Sequence, residues 1–362
     1  MDRRRDSAVD LTYSRLDGLI HESRAPGIQY LVVGREGIRF EYHGGWADLG
    51  DRRPMTPTTT MMAYSMSKTV TAAAVLTLVQ AGRMALNDPL DRLVEWHPYG
   101  PDVTLRRMLS HTSGIPNPIP LRWVHPAADD SFDEGAALAA VLQKHPRLSF
   151  APGTRYGYSN IGYWLLGSVV ERASGEDFAS YVAGHILSPL GIESVELGYV
   201  IGDPEQHASG YLERASWMNL VKGALIDREL IGPDWGRWVE ILGHCLDGPA
   251  FGGLVGTARG FGKFLQDQLE PHSRVLDDPA RSLFFAPQRI DRDGPIPMTL
   301  GWHMGAMGDR AFFYKEGGGG GFHCMMRLYP ADGIATVMMT NATLFDVRGH
   351  LNALDVTFLR RE

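Results

Sequence analysis

The sequence predicts an α/β (α+β) fold: an antiparallel sheet built from strands near both ends of the chain, flanked by helices, with a mainly helical lobe inserted between them. Three observations carry this prediction. Strand-like runs stand at 28–33 and 38–43, and return at 300–306, 311–314, 322–329 and 334–339. The stretch between them carries helical spacing at 134–144, 161–173, 176–187 and 257–269. The chain has 362 residues, beyond the ~50–250 of a usual domain. Two lobes are therefore expected, residues 1–64 with 291–362 around the sheet and residues 65–290 mainly helical. Together they would form one catalytic unit with the site between them.

Taken in order, residues 7–24 read as a helix that stops before Ala25-Pro26-Gly27. Gly34 and Gly37 bracket the turn between the first two strand-like runs, the pattern of a hairpin. Residues 47–60 are rich in turns, with Pro54 and Pro57. The clearest helix covers 65–81. Val70, Ala73, Ala74, Thr77, Leu78 and Ala81 fall at i, i+3, i+4, i+7, i+8 and i+11. Val75, Leu76 and Val79 cover the other side, so this helix should be buried nearly all round. Gly82 fits its stop. Residues 203–250 read as irregular, and a last helix is expected at about 345–359.

Composition excludes several classes. Hydrophobic content is 44% and charged content 21%, ordinary for a globular protein, and the net charge is −7. That balance argues against a nucleic-acid or anionic-membrane partner. The charged start lacks the apolar core of a secretory signal, so a cytoplasmic location is expected. Cys245 and Cys324 are too few for a disulfide framework and read as two buried free thiols. No metal spacing appears: His21-Glu22 begins like H-E-x-x-H, but Ala25 stands where the second histidine belongs. No cofactor motif is present, nor a G-x-S-x-G elbow. The oligomeric state is not legible.

Chemistry concentrates in three motifs. Ser65-Met66-Ser67-Lys68 is an S-x-x-K tetrad opening the buried helix. Residues three apart on a helix share a face. A desolvated lysine near other cations loses part of its charge and can take the serine's proton. The free N–H groups of a helix start also favour negative charge. Tyr158-Ser159-Asn160 is a Y-x-N. Two neighbouring lysines would favour the Tyr158 phenolate, and the Asn160 amide can orient Lys68 or a substrate carbonyl. Alone, such a tyrosine is as readily a packing residue. Lys315-Glu316-Gly317 opens a run of glycines through Gly321. Lys315 adds positive charge, and glycines allow a backbone to approach a substrate closely. A glycine-rich hairpin is the other reading of that run.

In this order, S-x-x-K, Y-x-N and K-x-G resemble the serine β-lactamase and penicillin-binding-protein superfamily. The nearest likeness is to its class C β-lactamase-like branch, which includes family VIII esterases, D-amino-acid peptidases and some acyltransferases. Leu109-Ser110-His111-Thr112-Ser113-Gly114-Ile115-Pro116, Pro189-Leu190-Gly191-Ile192 and Gly252-Gly253-Leu254 continue it, over roughly residues 26–345. The resemblance implies a β-lactamase/transpeptidase-like fold. It implies Ser65 as the acylated nucleophile, Lys68 as its base and Tyr158 as a second acid/base. Asn160, Lys315 and Gly317 would position substrate, the N–H groups of Ser65 and Gly318 would form the oxyanion hole, and the loop at His111 would support the site.

One departure matters: Glu316 replaces a hydroxyl residue that binds the substrate carboxylate in penicillin-recognising members. A glutamate there repels a carboxylate unless it points away. The expected activity is therefore cleavage of small esters through a Ser65 acyl-enzyme, with amide cleavage or acyl transfer as the alternatives. Trp123, Trp217, Trp235 and Trp238 are candidates to line an acyl pocket.

Overall fold

A computed structural model describes residues 2–94, 96–119, 122–129, 131–291 and 294–359. Met1, residues 360–362 and the remaining positions within the two expected lobes lie outside the described residues.

Seven antiparallel strands form the main sheet, in the order His303–Met307, Arg310–Gly318, His323–Tyr329, Ile334–Thr340, Gly27–Gly34, Gly37–Asp48 and Arg53–Pro54. The two ends of the chain meet where Ile28 pairs with Thr340 and Gly34 with Ile334. Every residue of the central Gly27–Gly34 strand is buried, because both faces of the sheet are covered. Side chains alternate between the faces. Ile28, Tyr30 and Val32 join Leu16, Phe40, Leu351 and Leu354 in the cluster under the helices Asp2–His21 and Val347–Leu354. Leu31 and Val33 face the other way, onto the helix Ala258–Leu269. Gly262 lets that helix approach, since a Cβ there would lie 2.5 Å from Leu31 Cδ2. The helix falls within the span 65–290, yet it sits on the sheet.

The hairpin forms as expected, with Gly37 at φ +126°. The expected helix 65–81 begins differently. Tyr64–Met66 is a 3₁₀ turn, and the α-helix runs Ser67–Gln80. Ser65 therefore sits in the tighter turn ahead of the helix. Residues 67–78 are buried, in keeping with the apolar pattern on all sides. Leu78, Val79 and Thr77 carbonyls close the end, and Gly82 takes φ +68°.

The stretch 203–250 is not irregular. It holds a three-stranded sheet, Gly210–Glu213, Trp238–Ile241 and Ile231–Trp235, and the helix Trp217–Leu225. Its strands are short and its sheet has few neighbours, so period-2 patterning is too brief to read. The 176–187 helix is also interrupted: Phe178–Val182 gives way to a π turn at Ala183–Leu187. Among the described residues no helix is long and apolar enough to cross a membrane.

Candidate active site

Ser65 lies where three parts of the fold converge. The 3₁₀ turn presents its hydroxyl, the segment ahead of the helix Asn160–Ser174 brings Tyr158, and the strand Arg310–Gly318 passes alongside. Ser159 caps that helix by accepting the Gly162 N–H at 2.9 Å, which fixes Tyr158 and Asn160 on either side of the cap.

Lys68 Nζ lies 3.0 Å from Ser65 Oγ, 2.8 Å from Asn160 Oδ1 and 2.6 Å from the Phe251 carbonyl oxygen. Tyr158 donates its phenol proton to Ser65 Oγ at 2.7 Å. Lys68 is fully buried. Burial, and then the charge of Lys315, push its pKa well below the ordinary lysine value. Lys68 Nζ donates to all three oxygens as it stands; a neutral amine would keep two N–H bonds for the two carbonyl oxygens and turn a lone pair toward Ser65 Oγ. The Phe251 carbonyl is the partner sequence reasoning missed. It has no side-chain signature, although the neighbouring Gly252-Gly253-Leu254 marks the turn.

The expected Tyr158 phenolate is not what this environment favours. Burial raises the phenol pKa, and this outweighs the lowering by its bond to Ser65. Burial lowers the pKa of both neighbouring lysines as well, so less positive charge stands beside the phenol than the sequence suggests. Tyr158 is thus a proton donor in the resting site.

Lys315 is fully buried, and burial lowers its pKa from 10.5 to about 7. Among the described residues its Nζ has no hydrogen-bond partner, and it lies 5.5 Å from the Tyr158 ring centroid. Between pH 7 and about 10 the unfolded chain holds a proton there that the folded chain has lost, so stability rises with pH across that window. Lys315→Met is expected to raise Tm by on the order of 3 °C or more at pH 7 and to flatten the rise, while activity falls. Melting scans at pH 6, 7.5 and 9 check this; a lower Tm for the variant would contradict it.

Alternation along the strand turns Lys315 and Gly317 inward and Glu316 to the other face. Gly317 passes so close to the nucleophile turn that a Cβ would lie 2.2 Å from Ala63 O and 2.9 Å from Ser65 N. Gly318 follows it, opposite His323. Glu316 accepts from His323 Nε2 at 2.9 Å and Arg348 Nη2 at 2.7 Å, and these partners hold its carboxyl down at about 2. Its charge is matched, so the expected repulsion of a substrate carboxylate loses its basis.

Two histidines back the site. His111, at φ +57°, accepts the Ser159 N–H on Nδ1 at 3.2 Å and packs 4.3 Å from the Tyr158 ring. Burial, then Lys315 and Lys68, keep it neutral. His303, unflagged by any motif, lies 3.2 Å from the Tyr156 hydroxyl and stacks at 6.4 Å on Tyr158. The four tryptophans do not gather here. Trp123 packs on Trp164 and Phe251, Trp238 is buried with the cluster under the terminal helices, Trp217 is solvent-exposed and Trp235 bonds Glu240. Cys324 is buried behind Ala63, but Cys245 is half-buried rather than fully enclosed; both are free.

The chain is similar to several known proteins. Over 213 residues the chain is 33% identical to Esterase EstB of Burkholderia gladioli, covering 54% of this chain and 52% of EstB. Over 306 residues it is 26% identical to a penicillin-binding protein of Bacillus subtilis (strain 168), covering 82% of this chain and 64% of the relative. The chain thus spans less than two thirds of either relative's length. The crystal structure of SurE superposes with a TM-score of 0.76 at 26% identity, over 98% of this chain and 77% of SurE. Residues 14–357 match the Beta-lactamase family profile, and the chain belongs to that family.

Proposed function

We propose that this protein is a serine hydrolase that cleaves small esters through an acyl-enzyme on Ser65. The observation that carries this reading is the proton inventory around Ser65 Oγ. The Lys68 amine stands 3.0 Å from it and the Tyr158 hydroxyl 2.7 Å, which supports a base on one side and an acid on the other.

The neutral Lys68 lone pair takes the hydroxyl proton as Oγ attacks the ester carbonyl. The carbonyl oxygen becomes an oxyanion, held by the N–H groups of Ser65 and Gly318. As the C–O bond of the alcohol breaks, Tyr158 gives its proton to the leaving oxygen and regains one from the Lys68 ammonium. Water then attacks the acyl-enzyme, with its proton passing to the same groups and Ser65 released. Asn160 and the Phe251 carbonyl orient the amine throughout. Lys315 supplies charge beside the phenol, and Gly317 keeps the strand close to the nucleophile turn.

EstB carries an esterase name, and the 33% identity with it favours an ester over an amide. A protonated Tyr158 also suits an amine leaving group, so matched p-nitrophenyl ester and p-nitroanilide substrates decide between the two by kcat/KM. Added alcohol acceptors reveal any acyl transfer. The primary test is intact-protein mass after mixing with p-nitrophenyl butyrate. One butyryl group is expected on the wild type, decaying as butyrate forms, and none on Ser65→Ala. Turnover by Ser65→Ala at the wild-type rate would sink the assignment.

A further inference from the structure

The residue before the nucleophile is tied to the strand that faces it. Tyr64 adopts φ +44°, a left-handed conformation that costs a bulky residue about 1–3 kcal/mol and persists only where surroundings enforce it. Two contacts enforce it. Its ring lies under Gly319, where a Cβ would come within 2.4 Å of Tyr64 Cε1. Its hydroxyl donates to the Gly320 carbonyl at 2.6 Å and lies 3.1 Å from His244 Nε2. His244 is itself set by Nδ1, 2.9 Å from the Leu242 carbonyl.

The other groups of the glycine segment are anchored elsewhere. Gly319 O accepts from Thr343 Oγ1 at 3.1 Å, Gly321 N donates to Thr343 Oγ1 at 2.7 Å, and Gly321 O accepts from Tyr211 N at 3.1 Å. Gly319 N donates to Phe322 O. These bonds hold the segment to the sheet and to its neighbours. Gly317 packs on the turn that carries Ser65, and beyond it the Gly320 carbonyl ties the far end of the segment to the same turn.

We propose that Tyr64 is a positioning residue: its bond to Gly320 holds the strand end carrying the Gly318 N–H in register with the Ser65 N–H, so that both donors face one oxyanion before substrate arrives. This rests on the hydrolase reading above. Donors fixed in advance stabilise the transition state without reorganising, which is where their catalytic value lies. Five consecutive glycines accept the ring and the close approach but hold no conformation by themselves. A clamp from outside the segment supplies the rigidity. His244 Nε2, left an acceptor once Nδ1–H is given to Leu242, is a second acceptor for the phenol proton, and the shorter contact to the Gly320 carbonyl favours that bond.

Tyr64→Phe tests this, because it keeps the ring under Gly319 and removes only the hydroxyl. The acylation rate with p-nitrophenyl butyrate is expected to fall about 10–100-fold, with KM within about twofold. The Ki of a butyl boronic acid, which forms a tetrahedral Ser65 adduct, should rise by a similar factor. Rates are taken per active site, titrated with a phosphonate, so that a loss of folded protein does not count. Hydrogen exchange at the Gly319 and Gly321 amides provides an arm that needs no activity, and it should quicken at least about tenfold. Unchanged exchange overturns the clamp. Faster exchange with an unchanged acylation rate and boronate Ki overturns its catalytic role. No butyryl adduct on the wild type counts against the hydrolase reading instead, and the exchange arm still decides the clamp.

Discussion

Replacing Lys68 by methionine is expected to lower kcat for ester hydrolysis by about 10⁴-fold while the protein still folds. Methionine matches the length of the side chain and lacks the lone pair. Ser65 then has no acceptor for its proton, because Tyr158 already donates to the same oxygen and its raised pKa keeps it protonated. The stability change is the sum of two opposed effects. Asn160 Oδ1 and the Phe251 carbonyl each lose a donor, at about 1–3 kcal/mol apiece if left unpaired. Against this, a fully buried amine disappears, and with it the cost of stripping its proton at neutral pH. The fold should therefore survive with a modest change in Tm. Steady-state rates with p-nitrophenyl butyrate and a melting scan measure both quantities. A kcat within tenfold of wild type would show that another group deprotonates Ser65, and the role of Tyr158 would have to be recast.

The largest stability effect should come from Asp355→Ala, at about 3–5 kcal/mol, or a fall in Tm of about 4–7 °C. Asp355 is fully buried where the end of the chain meets the sheet. Its carboxylate accepts from the Tyr30 hydroxyl at 2.9 Å, the Tyr329 hydroxyl at 2.7 Å, Thr336 Oγ1 at 3.2 Å and Arg327 Nη1 at 3.2 Å. These partners come from three adjacent strands, Gly27–Gly34, His323–Tyr329 and Ile334–Thr340. One carboxylate therefore joins both ends of the chain. Removing it leaves the buried Arg327 guanidinium without its counter-ion, although Arg327 keeps the Arg348 carbonyl. Adding Arg327→Met to the alanine variant should recover part of the loss, since an apolar side chain of similar length carries no unpaired charge. Thermal unfolding of both single variants and the double variant measures the coupling. A double variant less stable than Asp355→Ala would mean that the ion pair is not the source of the cost.

Much of the site was legible because its chemistry is local in sequence. Ser65 and Lys68 lie one turn apart, so backbone geometry alone sets their side chains on one face. Tyr158 with Asn160 and Lys315 with Gly317 were legible as short motifs whose roles the family resemblance implied, while the cap at Ser159 and the extension of the strand through Gly318 came with the structure. The all-round apolar pattern of 67–78 predicted its burial, and the strand-like runs at both ends predicted a sheet joining them. The short strands of 203–250 escaped because two or three alternating residues resemble loop composition.

What the sequence by itself determined is the set of candidate reacting groups and most of the elements that carry them. Tertiary structure alone decided their charge and mutual fit. Burial lowers the Lys68 pKa, raises that of Tyr158 and brings Lys315 to about 7. These are desolvation effects, set by which segments pack around a group rather than by its neighbours in the chain. The same holds for Glu316, which looks repulsive in sequence and is neutralised by Arg348 from a distant helix. It holds also for Tyr64, whose link to Gly320 spans 256 positions and exists only because the fold closes the glycine strand onto the nucleophile turn.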